Sequence, residues 1–325
     1  LNPSSAASDV YKRQEYGGVI PEIAARDHSA KIIGILKQLL KQTDHNLEDI
    51  NLIAYTAGPG LIGSLMIGET VAKTIANVLN IELLPINHLE GHILAPGLEE
   101  GGLEPPYLCL LVSGGHTQII RCDGYGDYKI IGETIDDACG EAFDKVGKLL
   151  NLEYPGGPKV SKLAENGDSK RFKFPRAMMK DKNLNFSFSG LKTSVLYALE
   201  DLNEEDHADV AASFQEAVID ALTTKLMWAV QDTKIHKLVC SGGVASNKLL
   251  RDRLKQMAAN NNLEVSYPRM EFCTDNAAMI AYAGFIRKKF KLPTYPTNFA
   301  RPRWPLGELY AVSYTHLRAH ETRIH

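Results

Sequence analysis

The chain has 325 residues, 44% of them hydrophobic, with 36 lysines and arginines against 39 aspartates and glutamates and a formal net charge of −3. That length suffices for two ordinary lobes or one large α/β domain, and the slightly acidic balance excludes a general basic coat, so any RNA contact must be local. No run reads as a membrane span, and five cysteines (109, 122, 139, 240 and 273) with no C-x-x-C pair point to a reducing, cytoplasmic setting rather than a disulfide scaffold.

Both ends read as foreign. Residues 4–14 look like a translated sequencing adapter, and residues 312–318 like the same adapter reversed. A DNA string encoding Asp9 to Gln14, reverse-complemented and shifted in frame, gives the Val-Ser-Tyr-Thr-His of 312–316. Segments 1–14 and 312–325 are therefore set aside in fold reasoning. Each carries a net +1, so the formal −3 becomes −5 for the remainder. The native product is expected to begin upstream of Glu15.

In chain order, Ile32, Ile33, Leu36, Leu39 and Leu40 fall at helical spacing and predict an amphipathic helix over His28–Lys41 with a buried stripe. Asn51–Thr56 reads as a strand. The loop Ala57–Gly63 follows, with Ser64 expected to cap a helix to about Leu79. That loop is either a tight turn of a βα unit or a ligand contact. His88 and His92 stand four apart, which on a helix stacks both imidazoles on one face as metal chelation requires. The alternative is a satisfied histidine pair. Glu90 does not follow the first histidine directly, so the H-E-x-x-H arrangement of a metalloprotease is absent.

Two stretches share one pattern. Leu110–Val112 runs into Ser113-Gly114-Gly115, and Lys237–Cys240 runs into Ser241-Gly242-Gly243. Strands ending in side-chain-free turns expose clustered backbone N–H groups, the geometry that receives an anionic or nucleotide ligand. One cleft between two similar half-folds is expected. Thr117–Cys122 pairs back on the first strand as a hairpin, with His116 read as a turn residue in preference to a ligand.

Thr134–Leu150 is predicted helical, with Asp137 and Asp144 on one face as an acidic edge of the cleft or a solvated surface. Tyr154–Pro158 is a rigid turn. Lys170, Arg171 and Lys173, continuing to Lys182, are either a phosphate-backbone patch or a solvated loop. A long helix spans about Asp206–Thr233, and Asn247 sits in the first turn of a helix after the second glycine pair. Asp275 is either the N-cap of the helix Ala277–Phe285 or the carboxylate that closes the His88/His92 site.

These segments together resemble the bacterial tRNA threonylcarbamoyladenosine transferase family (TsaD, Kae-like). The resemblance rests on Tyr16–Glu22, Ala57–Gly60, His88–His92, Leu111–Thr117, Asp136–Asp137 through Lys145, Tyr154–Pro158, Phe188–Thr193, Ser241–Val244 and Arg301–Leu306. It implies an α/β, actin/sugar-kinase/heat-shock-ATPase-like fold of two lobes with a duplicated core: lobe I over 15–105, lobe II over 106–275, and a C-terminal helix over 276–311 returning to lobe I. It implies transfer of threonylcarbamoyl from threonylcarbamoyl-AMP to the N6 amine of the tRNA adenosine beside the anticodon. One divalent metal per chain, iron or zinc, is implied, with His88, His92 and Asp275 as ligands. The substrate contacts implied are Leu111, Val112, Ser113, Gly114, Gly115, Asp144, Gly157 and Asn247. The implied partners are tRNA and TsaB-type and TsaE-type subunits.

Family members begin with a strand and an acidic loop that approaches the nucleotide phosphates. This chain starts after them, so a truncated lobe I and poor turnover are expected. The rival expectations are a phosphotransferase or ATPase on the same fold, a metallopeptidase, and a non-catalytic tRNA-binding assembly subunit.

Overall fold

The computed structural model describes residues 21–180, 182–293 and 299–310. The two adapter-like ends and the Tyr16–Ile20 part of the first motif lie outside them. The chain begins with helix α1 (Pro21–Thr43), then strand β1 (Leu52–Gly58), helix α2 (Ile62–Leu79) and strand β2 (Glu82–Asn87). β1 and β2 pair in parallel from Leu52↔Glu82 to Thr56↔Ile86, with α2 as the crossover. Helix α3 (His88–Leu94) leaves β2 without a linker.

Two sequence expectations change in this lobe. The apolar stripe of α1 is not buried: Ala24 is its one buried residue among those described, and Ile33 and Leu39 are 47% and 44% exposed. Ile32, Leu36 and Leu40 instead line an open groove beside β1. Ser64 does not cap α2. The helix starts three residues earlier, with Leu61 at the cap position, which leaves the buried Ser64 hydroxyl inside the first turn with no partner among the described residues.

The second sheet has the order β5-β4-β3-β6-β7, built from β3 (Tyr107–Val112), β4 (Thr117–Gly124), β5 (Asp127–Glu133), β6 (Lys237–Ser241) and β7 (Glu264–Ser266). β3 is buried at every position, as a central strand covered on both faces must be. One face carries the core of α4 (Cys139–Leu149), α5 (Gly156–Ala164), α6 (Ser189–Leu199) and α7 (His207–Thr233), in which Phe143 and Phe214 meet edge to face at 5.1 Å. The other face shares a core with lobe I: Tyr107, Cys109 and Leu111 pack with Tyr55, Leu89 and Trp304.

Helix α8 (Lys248–Asn261) and the short α9 (Met270–Cys273) precede α10 (Ala277–Lys289), which lies on β1, β2 and α3. A side chain at Gly284 would sit 2.6 Å from the Ala54 Cβ, so glycine there permits the close approach. The segment after 299 straps across the end of β1, where Arg301 N–H donates to the Ala57 carbonyl (2.6 Å) and Gly60 N–H to that of Pro302 (3.1 Å).

The expected helix over Thr134–Leu150 starts only at Cys139. Asp136 is engaged before it: its carboxylate accepts from Ser187 and Ser189 Oγ and from the Phe188 N–H. Asp137 pairs with Lys145 at 2.7 Å. Asp137 and Asp144 therefore share no helix face.

Candidate functional site

Helix α3 is set by Asn87, whose side chain accepts from the Leu89 N–H and donates to the Trp304 carbonyl (3.0 Å). The cap aligns His88 and His92 on one face, with ring centroids 4.8 Å apart at 83°. Asp275, immediately before α10, completes the cluster: its Oδ1 lies 3.2 Å from His88 Nε2 and 3.1 Å from His92 Nε2. All three donor atoms lie within 4.8 Å of one another.

The two spacings from Asp275 to the histidines fit a shared metal. Donors bound at about 2.1 Å stand roughly 3.0–3.4 Å apart across an octahedral or tetrahedral edge, and two imidazoles with one carboxylate leave further positions open. Asp275 is not the N-cap of α10, because the Asn276 side chain accepts from the Met279 N–H and takes that role. Enclosure by the cleft walls pushes the Asp275 carboxyl up. At 79% side-chain exposure that effect counts for little beside the two imidazoles, whose hydrogen bonds and charge hold it far below the usual carboxylate range. It is an anion at any physiological pH. His92 is 2% exposed.

The two Ser-Gly-Gly turns are neighbours in one sheet. β3 and β6 run parallel with Leu111 opposite Ser241, so both turns emerge at the same end of lobe II. This corrects the expectation of one turn from each half-fold. The turns also differ in kind. A Cβ at Gly114 or Gly115 would meet nothing within 4 Å, whereas Gly242, at φ +90°, would put it 2.4 Å from the Val112 carbonyl oxygen. The first pair is open at both glycines, whereas in the second Gly242 is packed on β3 and Gly243 stays open and lines the same opening.

Ser113, Gly114, Gly115, Asp144, Gly157 and Asn247 line the same opening as His88 and Asp275, a space of about 2680 Å³ that includes the groove beside α1. This is larger than the roughly 300–1,000 Å³ of a small-molecule pocket. Leu111 and Val112 do not line it. Both are wholly buried, on opposite faces of β3 in different cores, because strand side chains alternate. Their side chains therefore do not reach the opening.

Asp144 is partly committed: one oxygen accepts from the Gly156 and Gly157 N–H groups (2.8 and 3.1 Å). Burial pushes its carboxyl up, those two bonds pull back, and the net shift is upward. The Asn247 amide is committed further. It caps α8 through the Leu250 N–H and donates to Ser161 Oγ and Gln215 Oε1.

His116 closes the Ser113 turn, with the Ser113 N–H donating to its carbonyl (2.8 Å), and it also faces the opening. Burial lowers its pKa, and nearby His88 and His92 lower it further. Arg171 is held by Asp206 and Asp209, both at 2.6 Å. The side chains of Lys170 and Lys173 make no ion pair among the described residues.

The structure thus defines a class: an actin/sugar-kinase/heat-shock-ATPase-type α/β fold whose opening carries a two-histidine, one-carboxylate cluster together with a glycine turn. The chain belongs to the TsaD family, the tRNA N6-adenosine threonylcarbamoyltransferases, whose model matches residues 4–282. That is a transferase family of tRNA modification. The fold is similar to that of full-length HypF in its phosphate- and nucleotide-bound form (TM-score 0.60, 14% identity, 80% of this chain). It is also similar to HypF of T. kodakarensis (TM-score 0.58, 17% identity, 76% of this chain). The matches cover 41% of each of those chains. No helix among the described residues is long and apolar enough to cross a membrane.

Proposed function

We propose that this chain transfers the threonylcarbamoyl group of threonylcarbamoyl-AMP to the N6 amine of the tRNA adenosine beside the anticodon, in the cytoplasm, with TsaB-type and TsaE-type subunits as partners. The observation that carries the reading is the convergence of His88, His92 and Asp275 on an opening also lined by Gly114 and Gly115, in a chain of this family. The acyl-adenylate is already activated, so the protein has to position and stabilise charge rather than supply a nucleophile. The cysteines agree with that division: all five are buried, unpaired thiols.

His88, His92 and Asp275 would hold one iron or zinc ion, which would act as a Lewis acid on the carbamoyl carbonyl or as an anchor for the threonyl portion. Gly114 and Gly115 leave room for close approach of the adenylate to backbone. Asp144 keeps one carboxylate oxygen for a ribose hydroxyl, and Asn247 orients Ser161 and Gln215 at the wall. Lys170 and Lys173 are the candidate tRNA contacts.

The test is incubation of the purified protein, with its partner subunits, with threonylcarbamoyl-AMP and unmodified tRNA, followed by digestion to nucleosides. The modified adenosine should appear and should depend on His92. ATP consumption without modified adenosine would favour a phosphotransferase or ATPase instead.

A further inference from the structure

Glu90 lies between the two histidines in sequence yet has no part in their cluster. It is wholly buried, as is Arg287 to within 4%. Glu90 Oε2 accepts from Arg287 Nε at 2.7 Å and Oε1 from the Tyr128 hydroxyl at 3.2 Å, while Arg287 also donates to the Pro293 carbonyl at 2.8 Å. One carboxylate therefore ties α3 to the far half of α10 and to β5.

Helix α3 is seven residues long, about 10 Å, too short to hold an orientation by helix propensity alone. Its direction has to come from what it touches. It meets α10 at two places. Near the start of α10, Gly91 lies so close that an added Cβ would be 2.9 Å from Ile280 Cδ1 and 3.2 Å from Met279 Cγ. Toward the end, Glu90 grips Arg287. Two contacts separated along one helix fix both its axial slide and its crossing angle, and Asp275 sits two residues before α10 begins.

We infer that the Glu90–Arg287 pair is the strut that sets the distance between the histidine pair and Asp275, a positioning role that rests on the metal-site reading above. Burying an ion pair is a poor way to gain stability, since an apolar pair of similar volume is often as good or better. What the charged pair adds is one permitted register. Donor atoms 3.1–3.2 Å apart lose a shared metal when the helices slide by an ångström.

Cobalt(II) titration of the full chain, read by affinity and by visible absorption, tests this. Wild type should bind one ion, and His92→Ala should not. The double variant Glu90→Met/Arg287→Met should keep the wild-type thermal midpoint, bind cobalt about 10- to 100-fold more weakly, and show a changed spectrum. Arg287→Lys, which keeps the charge and loses the planar fork, should fall between. Unchanged affinity and spectrum in a folded double variant overturns the strut alone. If the double variant does not fold, Arg287→Lys and Tyr128→Phe decide by the same criterion. Wild type that ignores cobalt, or His92→Ala that binds it equally well, overturns the metal reading and the strut with it.

Discussion

Asp275 Oδ1 stands 3.1 Å from His92 Nε2, across 183 residues of sequence, because its neighbour Asn276 does the work of capping α10. The Asn276 amide oxygen accepts from the Met279 N–H at 2.9 Å, which leaves the adjacent carboxylate turned away from the helix and toward the histidines. Replacing Asn276 by alanine should cost about 1 kcal/mol of stability. It should also weaken metal binding, because Asp275 becomes the nearest substitute cap. Asp275→Asn should lower the stability of the metal-free protein at pH 7, since the histidines hold its carboxyl below the ordinary value, and reduce metal affinity by more than the roughly 10- to 100-fold that loss of an outer partner costs. Thermal melts paired with metal titrations check both.

Gly242 and Gly114, the first glycines of the two pairs, should respond oppositely to one methyl group. Gly242→Ala places a Cβ 2.4 Å from the Val112 carbonyl oxygen in a left-handed backbone conformation. The backbone strain alone costs about 1–3 kcal/mol, so a large loss of stability is expected. Gly114→Ala meets nothing within 4 Å. It should melt like wild type and bind threonylcarbamoyl-AMP more weakly. Denaturant unfolding and ligand titration separate the two outcomes.

Asp136 makes part of the stability pH-dependent. Burial raises its carboxyl, but the bonds from Ser187, Phe188 and Ser189 together outweigh that, so the folded pKa lies below the ordinary value. A depressed carboxyl contributes stability above the unfolded pKa of about 3.9 and loses it as pH falls through the folded value. Asp136→Asn should therefore destabilise at pH 7 by about 1 kcal/mol, modest because the group is exposed. The gap to wild type should close at acid pH. A gap constant from pH 7 to pH 3 would sink this account.

The basic stretch should divide by residue. Lys170→Glu with Lys173→Glu should weaken tRNA binding and flatten its dependence on salt by about one to two contacts' worth. Arg171 is already neutralised by Asp206 and Asp209. Arg171→Ala should loosen the 168–174 segment, seen as faster proteolysis there, with little change in the salt slope. Binding isotherms at several salt concentrations distinguish these.

Local chemistry alone determined a good deal. The four-residue spacing of His88 and His92 places both rings on one face of whatever helix forms, and the apolar runs 107–112 and 237–241 with their following glycines were legible as buried strands ending in turns. Helical periodicity located α7 and α10 to within a few residues. Each of these properties is written within one or two turns of chain, which is the range over which backbone propensity and side-chain period act. Only the tertiary structure decided the remainder. Strand pairing put β3 beside β6, so both glycine turns became neighbours and Gly242 was packed against Val112. The return of α10 onto lobe I brought Asp275 to the histidines and Arg287 to Glu90, 197 residues away. Packing within lobe II committed Asp137, Arg171 and the Asn247 amide to partners that no local pattern names, because a hydrogen bond or ion pair depends on distance in space and not on separation along the chain.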